Sequence, residues 1–169
     1  MNLRVIEKVD LLQSIELVNN PDYWGEYNPF LAQMSKAELE KAYDNPPSEG
    51  KSFWIEKKDG SKIGMIGHHL HGRAEELGYA ILPSERGKGY CSEALNIMVD
   101  YLFLSKDTVR IQALTDVRNV ASQKILAKVG FMKEGVVRKD YFRGDWRDCC
   151  LYSILREEWK EPRILTRTK

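Results

Sequence analysis

Apolar and polar residues follow two different periods on either side of a short glycine-rich turn. Before the turn, Leu77, Tyr79 and Ile81 alternate with smaller or polar residues, and this period of two predicts a β-strand with two distinct faces. After the turn, apolar positions three or four residues apart predict an amphipathic helix over residues 89–103. These positions are Cys91, Ala94, Leu95, Met98 and Leu102. The pattern predicts a strand, a tight turn and a helix in direct succession.

The rest of the chain repeats this mixture of short helices and strands. Further helices are predicted at residues 11–20, 36–45 and 119–131. Ser35 and Glu38 suit a capping box for the second of them, and Gly130 suits the end of the third. Strand-like runs lie near the N-terminus, around Asp59-Gly60, at 109–115 and around Gly144-Asp145. Residues 21–31, which are aromatic and interrupted by Pro and Gly, are predicted to form a loop.

Composition narrows the class of protein. The chain has 169 residues, of which 43% are hydrophobic and 30% charged, and its net charge is +1. Without a repeat, a low-complexity tract or a linker, we expect one mixed α/β domain over residues 1–169. The balanced charge predicts no nucleic-acid partner, and no apolar run approaches the roughly 20 residues of a membrane span. The N-terminus lacks the apolar core of a signal peptide.

The number and spacing of the cysteines indicate the redox state of the cellular compartment. Their number is odd, two are adjacent, and neighbours on a strand point to opposite faces. They are Cys91, Cys149 and Cys150. This usage predicts reduced, structurally buried thiols and a cytoplasmic protein.

The turn between the strand and the helix reads Arg86-Gly87-Lys88-Gly89. Glycines let a ligand approach the backbone closely, and a helix start presents unpaired N–H groups at the positive end of its dipole. With two basic side chains added, the turn predicts a cradle for phosphate. It differs from a P-loop because Lys88 is followed by glycine, and from a dinucleotide fingerprint because Ser92 replaces the third glycine.

Three motifs in order along the chain carry a family resemblance. The stretch RGKGYC resembles the R/Q-x-x-G-x-G/A signature of the GCN5-related N-acetyltransferases, the GNAT family, and NVASQKILAKVGF resembles the family's Asn-x-x-Ser/Ala…Gly-Phe helix. The C-terminal run EGVVRKDYFRGDWRDCCLYSILREEW is similar to the branch that acetylates ribosomal-protein N-termini. The likeness is closest over residues 62–159. It implies a GNAT fold, in which a central, mostly antiparallel, splayed mixed sheet is flanked by helices.

The resemblance also implies a reaction. An amine attacks the thioester of acetyl-CoA, the co-substrate, directly in a ternary complex without a metal. The branch implies a peptide N-terminal α-amine, which costs about 1.4 kcal/mol to deprotonate at pH 7, against about 4.6 kcal/mol for a lysine-like amine. Two alternatives are a small-molecule amine (polyamine, amino acid, amino sugar or antibiotic) and a non-catalytic acyl-CoA sensor. The oligomeric state stays open, although homodimers are frequent in this branch.

Family positions imply a set of cofactor-binding residues. The cradle comprises six consecutive residues: Arg86, Gly87, Lys88, Gly89, Tyr90 and Cys91. Main-chain groups of Ile81 and Leu82 would pair with the pantetheine arm like an added strand, and Lys124 would approach the outer phosphates. Asn119 and Ser122 lie on one helical face and would contact CoA. Asn119 also suits a helix cap, and Ser122 a hydrogen bond to its own backbone.

The reaction needs a base for the amine and an acid for the departing thiolate. Glu75 and Glu76 point to opposite faces of their strand, so at most one of them faces a cleft, and family position favours Glu76 as the base. Many family members carry a tyrosine as the acid where this chain has Leu126. Ser122, one turn earlier on the same face, is therefore predicted to donate to the sulfur, with Tyr141 as a second candidate.

The remaining candidates are aromatic residues and histidines. The acceptor pocket is predicted to be lined by Trp24, Tyr27 and Trp54, although such residues more often belong to a core. The histidines of the chain are His68, His69 and His71. No cysteine or carboxylate joins them at a familiar ligand spacing, so we expect an exposed strand end there and no metal site.

Overall fold

The computed structural model describes residues 1–25, 27, 34–45, 49–142 and 145–162. The strands are β1 (Asn2–Val5), β2 (Gly50–Glu56), β3 (Lys62–His71), β4 (Ala74–Ile81), β5 (Arg110–Asp116), β6 (Met132–Phe142) and β7 (Asp145–Leu155). The helices are α1 (Leu11–Val18), α2 (Pro21–Trp24), α3 (Lys36–Asp44), α4 (Tyr90–Ser105) and α5 (Val120–Val129). Two short 3-10 helices, Lys8–Asp10 and Pro83–Glu85, precede α1 and the glycine-rich turn.

Within the described residues, the seven strands form one sheet in the order β1-β2-β3-β4-β5-β7-β6. Neighbouring strands run antiparallel except β4 and β5, which run parallel and pair at Glu75 with Ile111 and at Glu76 with Gln112. Their pairing ends there, although both strands continue for several residues. The sheet is therefore mostly antiparallel and splayed between its two central strands, and the predicted fold class is confirmed.

Local sequence signals explain where several elements begin and end. Ser35 Oγ accepts from the Glu38 amide, and the Glu38 carboxylate accepts from the Ser35 amide, which is the predicted capping box of α3. Gly130 ends α5 in the left-handed region, with φ +108°. Gly60, with φ +84°, turns the β2–β3 hairpin. Residues 21–24, predicted as loop, instead form the short helix α2, which Asn20 caps through a bond from the Asp22 amide.

The main core lies between one face of the sheet and helices α4 and α5. Sheet residues such as Phe53, Leu77 and Ile111 pack there against helical residues such as Met98 and Leu126. Because successive strand residues alternate between faces, the neighbours of these sheet residues point to the opposite face. On that second face α2 packs on β4, where the Tyr23 hydroxyl donates to the Ala80 carbonyl over 3.1 Å. The cleft between β4 and β5 therefore has a side under α4 and α5 and a side next to α2.

Candidate active site

The sheet opens into a cleft where β4 and β5 separate. Gly78 lies in the middle of β4, yet it is exposed, and a Cβ placed on it would meet no described atom within 4 Å. A central strand normally has a neighbour on each side, so this exposure marks the place where β5 has moved away. The separated half of β4 therefore forms one wall of an open groove.

The peptide groups of β4 alternate between β3 and this groove. The Leu82 amide donates to the Ile63 carbonyl over 2.9 Å, so in an antiparallel ladder the even-numbered residues of β4 face β3. The odd-numbered residues Leu77, Tyr79 and Ile81 therefore direct their N–H and C=O groups to the groove edge of β4, where the Ile81 carbonyl accepts from Arg86 Nε over 3.1 Å. This placement agrees with the role predicted for Ile81. It corrects the prediction for Leu82, whose carbonyl also accepts from the Glu85 amide over 2.9 Å and is thus engaged within the protein.

The glycine-rich turn delivers the start of α4 to the mouth of the groove. Gly87 and Gly89 both have positive φ, +77° and +85°, and open space lies where their Cβ atoms would be. The first amide of the helix to find a carbonyl one turn back is that of Glu93, which donates to Gly89 over 3.1 Å. The preceding amides, those of Tyr90 and Cys91 among them, face outward as helix starts do. The backbone here fits an anion.

The basic side chains of the turn have protein partners. Arg86 donates to the carbonyls of Ile81, Asp22 and Tyr23 at distances of 2.9–3.1 Å. Lys88 pairs with Glu85 over 3.1 Å. The guanidinium of Arg86 therefore ties α2 to the end of β4, which corrects the prediction that its charge is directed at phosphate.

Cys91 fills the last position of the signature, in the first turn of α4. Its side chain packs against the main core, and burial raises the pKa of the Cys91 thiol to about 12. A neutral thiol turned toward the core leaves the main chain of the turn accessible. Cys149 and Cys150 are buried free thiols on β7, as predicted.

On the α4/α5 side of the groove, a hydroxyl of helix α5 pairs with a hydroxyl of β4. Asn119 caps the helix, its Oδ1 accepting from the Ser122 amide over 3.0 Å. The Ser122 hydroxyl reaches across to β4 and lies 2.8 Å from the Tyr79 hydroxyl. Leu126, in place of the usual tyrosine, is fully buried in the core, whereas Lys124 is exposed. The pair of Tyr79 and Ser122 therefore links β4 to helix α5.

Tyr79 is a candidate that the sequence analysis missed. Its alternation with Leu77 and Ile81 placed it on an apolar face, and this face is indeed the one under α4 and α5. Burial is the main reason that the pKa of the Tyr79 hydroxyl is raised, so the group stays protonated at neutral pH. A sequence signal existed, because a tyrosine two residues before Ile81 must share the cleft-facing position predicted for Ile81.

Glu76 lies at the apex of the cleft on the side next to α2. It forms the last β4–β5 pair with Gln112, and Gln112 Nε2 donates to Glu76 Oε2 over 2.8 Å. His69 Nε2 is 3.7 Å from the other carboxylate oxygen, and the side chain of Glu76 is 16% exposed. Glu76 thus keeps contact with solvent where the two arms meet, and the position agrees with its predicted role as a base.

Glu75 is directed to the opposite face, where it belongs to a buried ionic cluster. It lies 2.7 Å from His68 Nδ1 and 2.5 Å from Lys106 Nζ. Burial favours the protonated acid, but the bonds with Lys106 and His68 outweigh burial and hold the pKa of Glu75 below its usual value. Of the two adjacent carboxylates, only Glu76 lies at the cleft.

The structure places the predicted acceptor aromatics and the second candidate acid in different parts of the protein. Trp54 is 1% exposed on β2 and belongs to the core, so its prediction as a pocket residue is wrong. The Tyr27 carbonyl accepts from Arg147 over 2.6 Å, which places Tyr27 near the start of β7. Trp24 ends α2, and its side chain lies outside the described residues.

Tyr141 lies on the edge strand β6, 4.9 Å from the ring of Trp146, and is not brought to the Tyr79–Ser122 pair.

The histidines do not form one exposed group. His68 is buried in the cluster with Glu75, which corrects the prediction of an exposed strand end for this residue, while His69 and His71 are exposed. Among the described residues, no three or more His, Cys, Asp or Glu side chains are arranged to hold a metal ion. None of the described helices is long and apolar enough to cross a membrane.

The chain is similar in sequence to known acetyltransferases. The acetyltransferase (GNAT) domain family matches residues 1–132. Spermidine N(1)-acetyltransferase of Escherichia coli K12 is 28% identical over 167 residues, covering 94% of this chain and 88% of that protein. The putative ribosomal N-acetyltransferase YdaF of Bacillus subtilis is 34% identical over 106 residues, covering 60% of this chain and 58% of that protein.

Among solved structures, spermidine N-acetyltransferase from Vibrio cholerae, crystallised with CoA and spermine, has a TM-score of 0.78 and 26% identity. The match covers 94% of this chain and 96% of that chain. Three Bacillus N-acetyltransferases are 35–39% identical, and the chain spans only 54–63% of their length.

Proposed function

The chain belongs to the GNAT acetyltransferase family, and we propose that it transfers the acetyl group of acetyl-CoA to a primary amine of a polyamine. Family membership confirms the predicted family and enzyme class. The acceptor, the residues that carry the reaction and the use of residues 1–169 as a single domain are part of the proposal.

The cofactor side of the proposal rests on the backbone. GNAT enzymes draw their acetyl group from acetyl-CoA, whose diphosphate needs donors and whose pantetheine arm needs an extended partner. The outward amides at the start of α4, from Gly87 to Cys91, suit the diphosphate. The groove-facing peptide groups of Leu77 and Tyr79 and the N–H of Ile81 suit the arm, which would lie beside β4 as a short additional strand. Asn119 and Lys124 border this side.

The chemical step then divides between the two sides of the cleft. Glu76 accepts the proton that the amine nitrogen loses as the new C–N bond forms. The C–S bond breaks on the other side, where Ser122 or Tyr79 supplies a proton to the departing sulfur. The Tyr79–Ser122 pair thereby takes over the task of the tyrosine that Leu126 replaces, and this favours an enzyme over a non-catalytic sensor.

The acceptor is argued from the comparisons. The spermidine acetyltransferases match over 94% of the chain, including the N-terminal third that lies next to the acceptor side, whereas the putative ribosomal enzyme matches over 60%. This difference in coverage favours a polyamine over the peptide N-terminus that we expected from the resemblance. A polyamine amine, lysine-like in basicity, costs about 4.6 kcal/mol to deprotonate at pH 7 and thus makes a stronger demand on a base.

A panel assay tests the proposal. Acetyl-CoA consumption is measured with spermidine, spermine, and peptides that begin with Ser or Ala, with CoA affinity measured separately by calorimetry. We expect kcat/KM to be highest for a polyamine, and mass spectrometry to show one added acetyl group. A preference for the peptides would return the function to N-terminal acetylation. CoA binding without transfer to any amine would support the sensor hypothesis, and absence of CoA binding would contradict the whole assignment.

A further inference from the structure

A row of polar side chains crosses the sheet from Glu76 toward its β6 edge, on the side next to α2. Gln112 Nε2 lies 2.8 Å from Glu76 Oε2, and Gln112 Oε1 lies 3.1 Å from Arg110 Nε. Arg110 makes a bidentate pair with Glu134, at 2.6 and 2.8 Å. The Ser153 hydroxyl donates to the same Glu134 carboxylate over 2.6 Å. The row therefore runs from β4 through β5 to β6, with Ser153 of β7 bonded to its last member.

The row has a direction because arginine can only donate. A guanidinium has five N–H donors and no acceptor, so the Gln112 atom that faces Arg110 must be the carbonyl oxygen. The amide nitrogen of Gln112 then has to face Glu76, and it presents an N–H to the carboxyl group. Glu76 must accept, which the charged carboxylate does best.

The far end of the row is firmly held. Glu134 binds both Arg110 and Ser153, and these hydrogen bonds lower the pKa of Glu134 to about 2, with Arg110 as the main cause. Gln112 itself is 8% exposed and Ser153 is buried, so water does not readily replace either bond. His69 on β3 also faces Glu76, with Nε2 at 3.7 Å from Oε1 and on the exposed side.

We propose that Gln112, oriented by the Arg110–Glu134 pair, is a positioning residue that holds Glu76 as an accepting carboxylate at the apex of the cleft. The inference rests on the proposed function, because it concerns the residue assigned there as the base. It adds Arg110 and Gln112, which lie outside the three family motifs, and gives a role to Glu134, the first residue of the C-terminal motif. Its consequence is that the position and the accepting role of Glu76 at the apex of the cleft are set by Gln112 on β5.

The pH dependence of kcat/KM with acetyl-CoA and spermidine tests this role. Gln112→Leu removes the N–H that favours the carboxylate, so we expect the acid limb of the profile to move to higher pH. The plateau at high pH should change less than the limb. A residue that only supported the fold would lower the whole profile without moving the limb.

Arg110 offers a matched pair of variants. Arg110→Lys keeps an obligate donor beside Gln112 Oε1, so the limb should stay within a few tenths of a unit of the wild type. Arg110→Gln allows the Gln112 amide to reverse, so the limb should move in the direction of Gln112→Leu. Arg4→Gln is the control for loss of an arginine–carboxylate network, since Arg4 pairs with Asp10 and Glu56 at the other end of the sheet. It should leave the limb in place.

A readout without turnover separates this inference from the proposed function. With ¹³C-labelled glutamate, the carboxyl resonance lost in Glu76→Gln identifies Glu76, and its titration midpoint can be compared between the wild type and Gln112→Leu. A higher midpoint in the variant supports the positioning role even if spermidine is not the substrate. Equal midpoints, or a limb that Arg110→Gln and Arg110→Lys move alike, would overturn the role even if Glu76→Gln abolishes acetyl transfer.

Discussion

The two faces of β4 use adjacent carboxylates for opposite purposes. Glu75 points under α4 into a buried cluster with His68 and Lys106, and Glu76 points to the cleft beside Gln112. Both are strand glutamates with hydrogen-bonding partners, and a one-residue change of register would exchange them. The difference shows that, in this strand, what a carboxylate can do depends on whether its face is covered by a helix or opened by the separation of β5.

Replacing each carboxylate by its amide should distinguish the two roles most clearly. Glu76→Gln removes the proposed base, so we expect kcat/KM to fall about 10²–10⁴-fold while the free energy of unfolding changes by about 0.5 kcal/mol or less. Glu75→Gln weakens two bonds in a buried cluster, so we expect a loss of about 1–3 kcal/mol in stability with kcat/KM retained within a few-fold.

Steady-state kinetics and urea unfolding on both variants decide the matter. The same loss of activity in both would mean that the two glutamates act through the fold alone. A drop in activity confined to Glu75→Gln would reassign the base to the other face.

The glycine turn at the start of α4 permits a second, smaller test on the cofactor side. Gly89 and Gly60 have almost the same backbone, φ +85° and +84°, and open space around the position of a Cβ. Alanine at either site should cost about 1–2 kcal/mol of stability, because the left-handed region disfavours a side chain. Only Gly89→Ala places a methyl group beside the amides of the cradle, so we expect CoA affinity to weaken about tenfold there. Calorimetry that finds equal CoA affinity in both variants would remove the turn from the binding site.

The α4/α5 side of the cleft could largely be predicted from the sequence. Its parts are local: a strand with period two, a turn of glycines, a helix start and the Asn119 cap lie in contiguous or regularly spaced residues. Backbone amides make up most of the phosphate site, and their direction follows from where a helix begins. Arg86 is the exception, because its partners on α2 are some sixty residues away in the chain.

The side next to α2 could be predicted only in part. Side chains alternate between the two faces of β4, and this alternation separates Glu76 from Glu75. Nothing in the local sequence indicates that the row of polar side chains continues from Glu76 through Gln112, Arg110 and Glu134. Those contacts depend on β5 pairing with β7 and on Glu134 lying between two β6–β7 pairs at a register shift. The error over Trp54 has the same origin, since the face on which a β2 aromatic is buried depends on which helices cover the sheet.

The hydroxyl pair across the cleft should have a smaller effect than either the base or the cradle. Tyr79→Phe and Ser122→Ala each remove one partner of a 2.8 Å hydrogen bond, and we expect kcat to fall about fivefold, equivalent to about 1 kcal/mol. Ser105→Ala is a matched control, because that serine bonds to the Tyr101 carbonyl within α4, away from the cleft. In the double variant the two losses should not add, since the pair acts as a unit. Additive losses would show that the hydroxyls act separately.

The buried cluster under α4 predicts the smallest effect, a dependence of stability on pH. Burial is the main reason that the pKa of His68 lies below 6.5, although its bond with Glu75 opposes this, so the folded protein holds His68 neutral. The unfolded chain binds a proton there first, so the free energy of unfolding falls as the pH drops through 6.5 and falls further below 4.5, where unfolded Glu75 takes up its proton. His68→Asn should reduce the fall between pH 7 and 5.5 by roughly 0.5–1 kcal/mol, whereas His71→Asn, at the exposed strand end, should leave it intact. Urea unfolding at several pH values measures both curves, and an unchanged fall in His68→Asn would place the acid sensitivity of the fold outside this cluster.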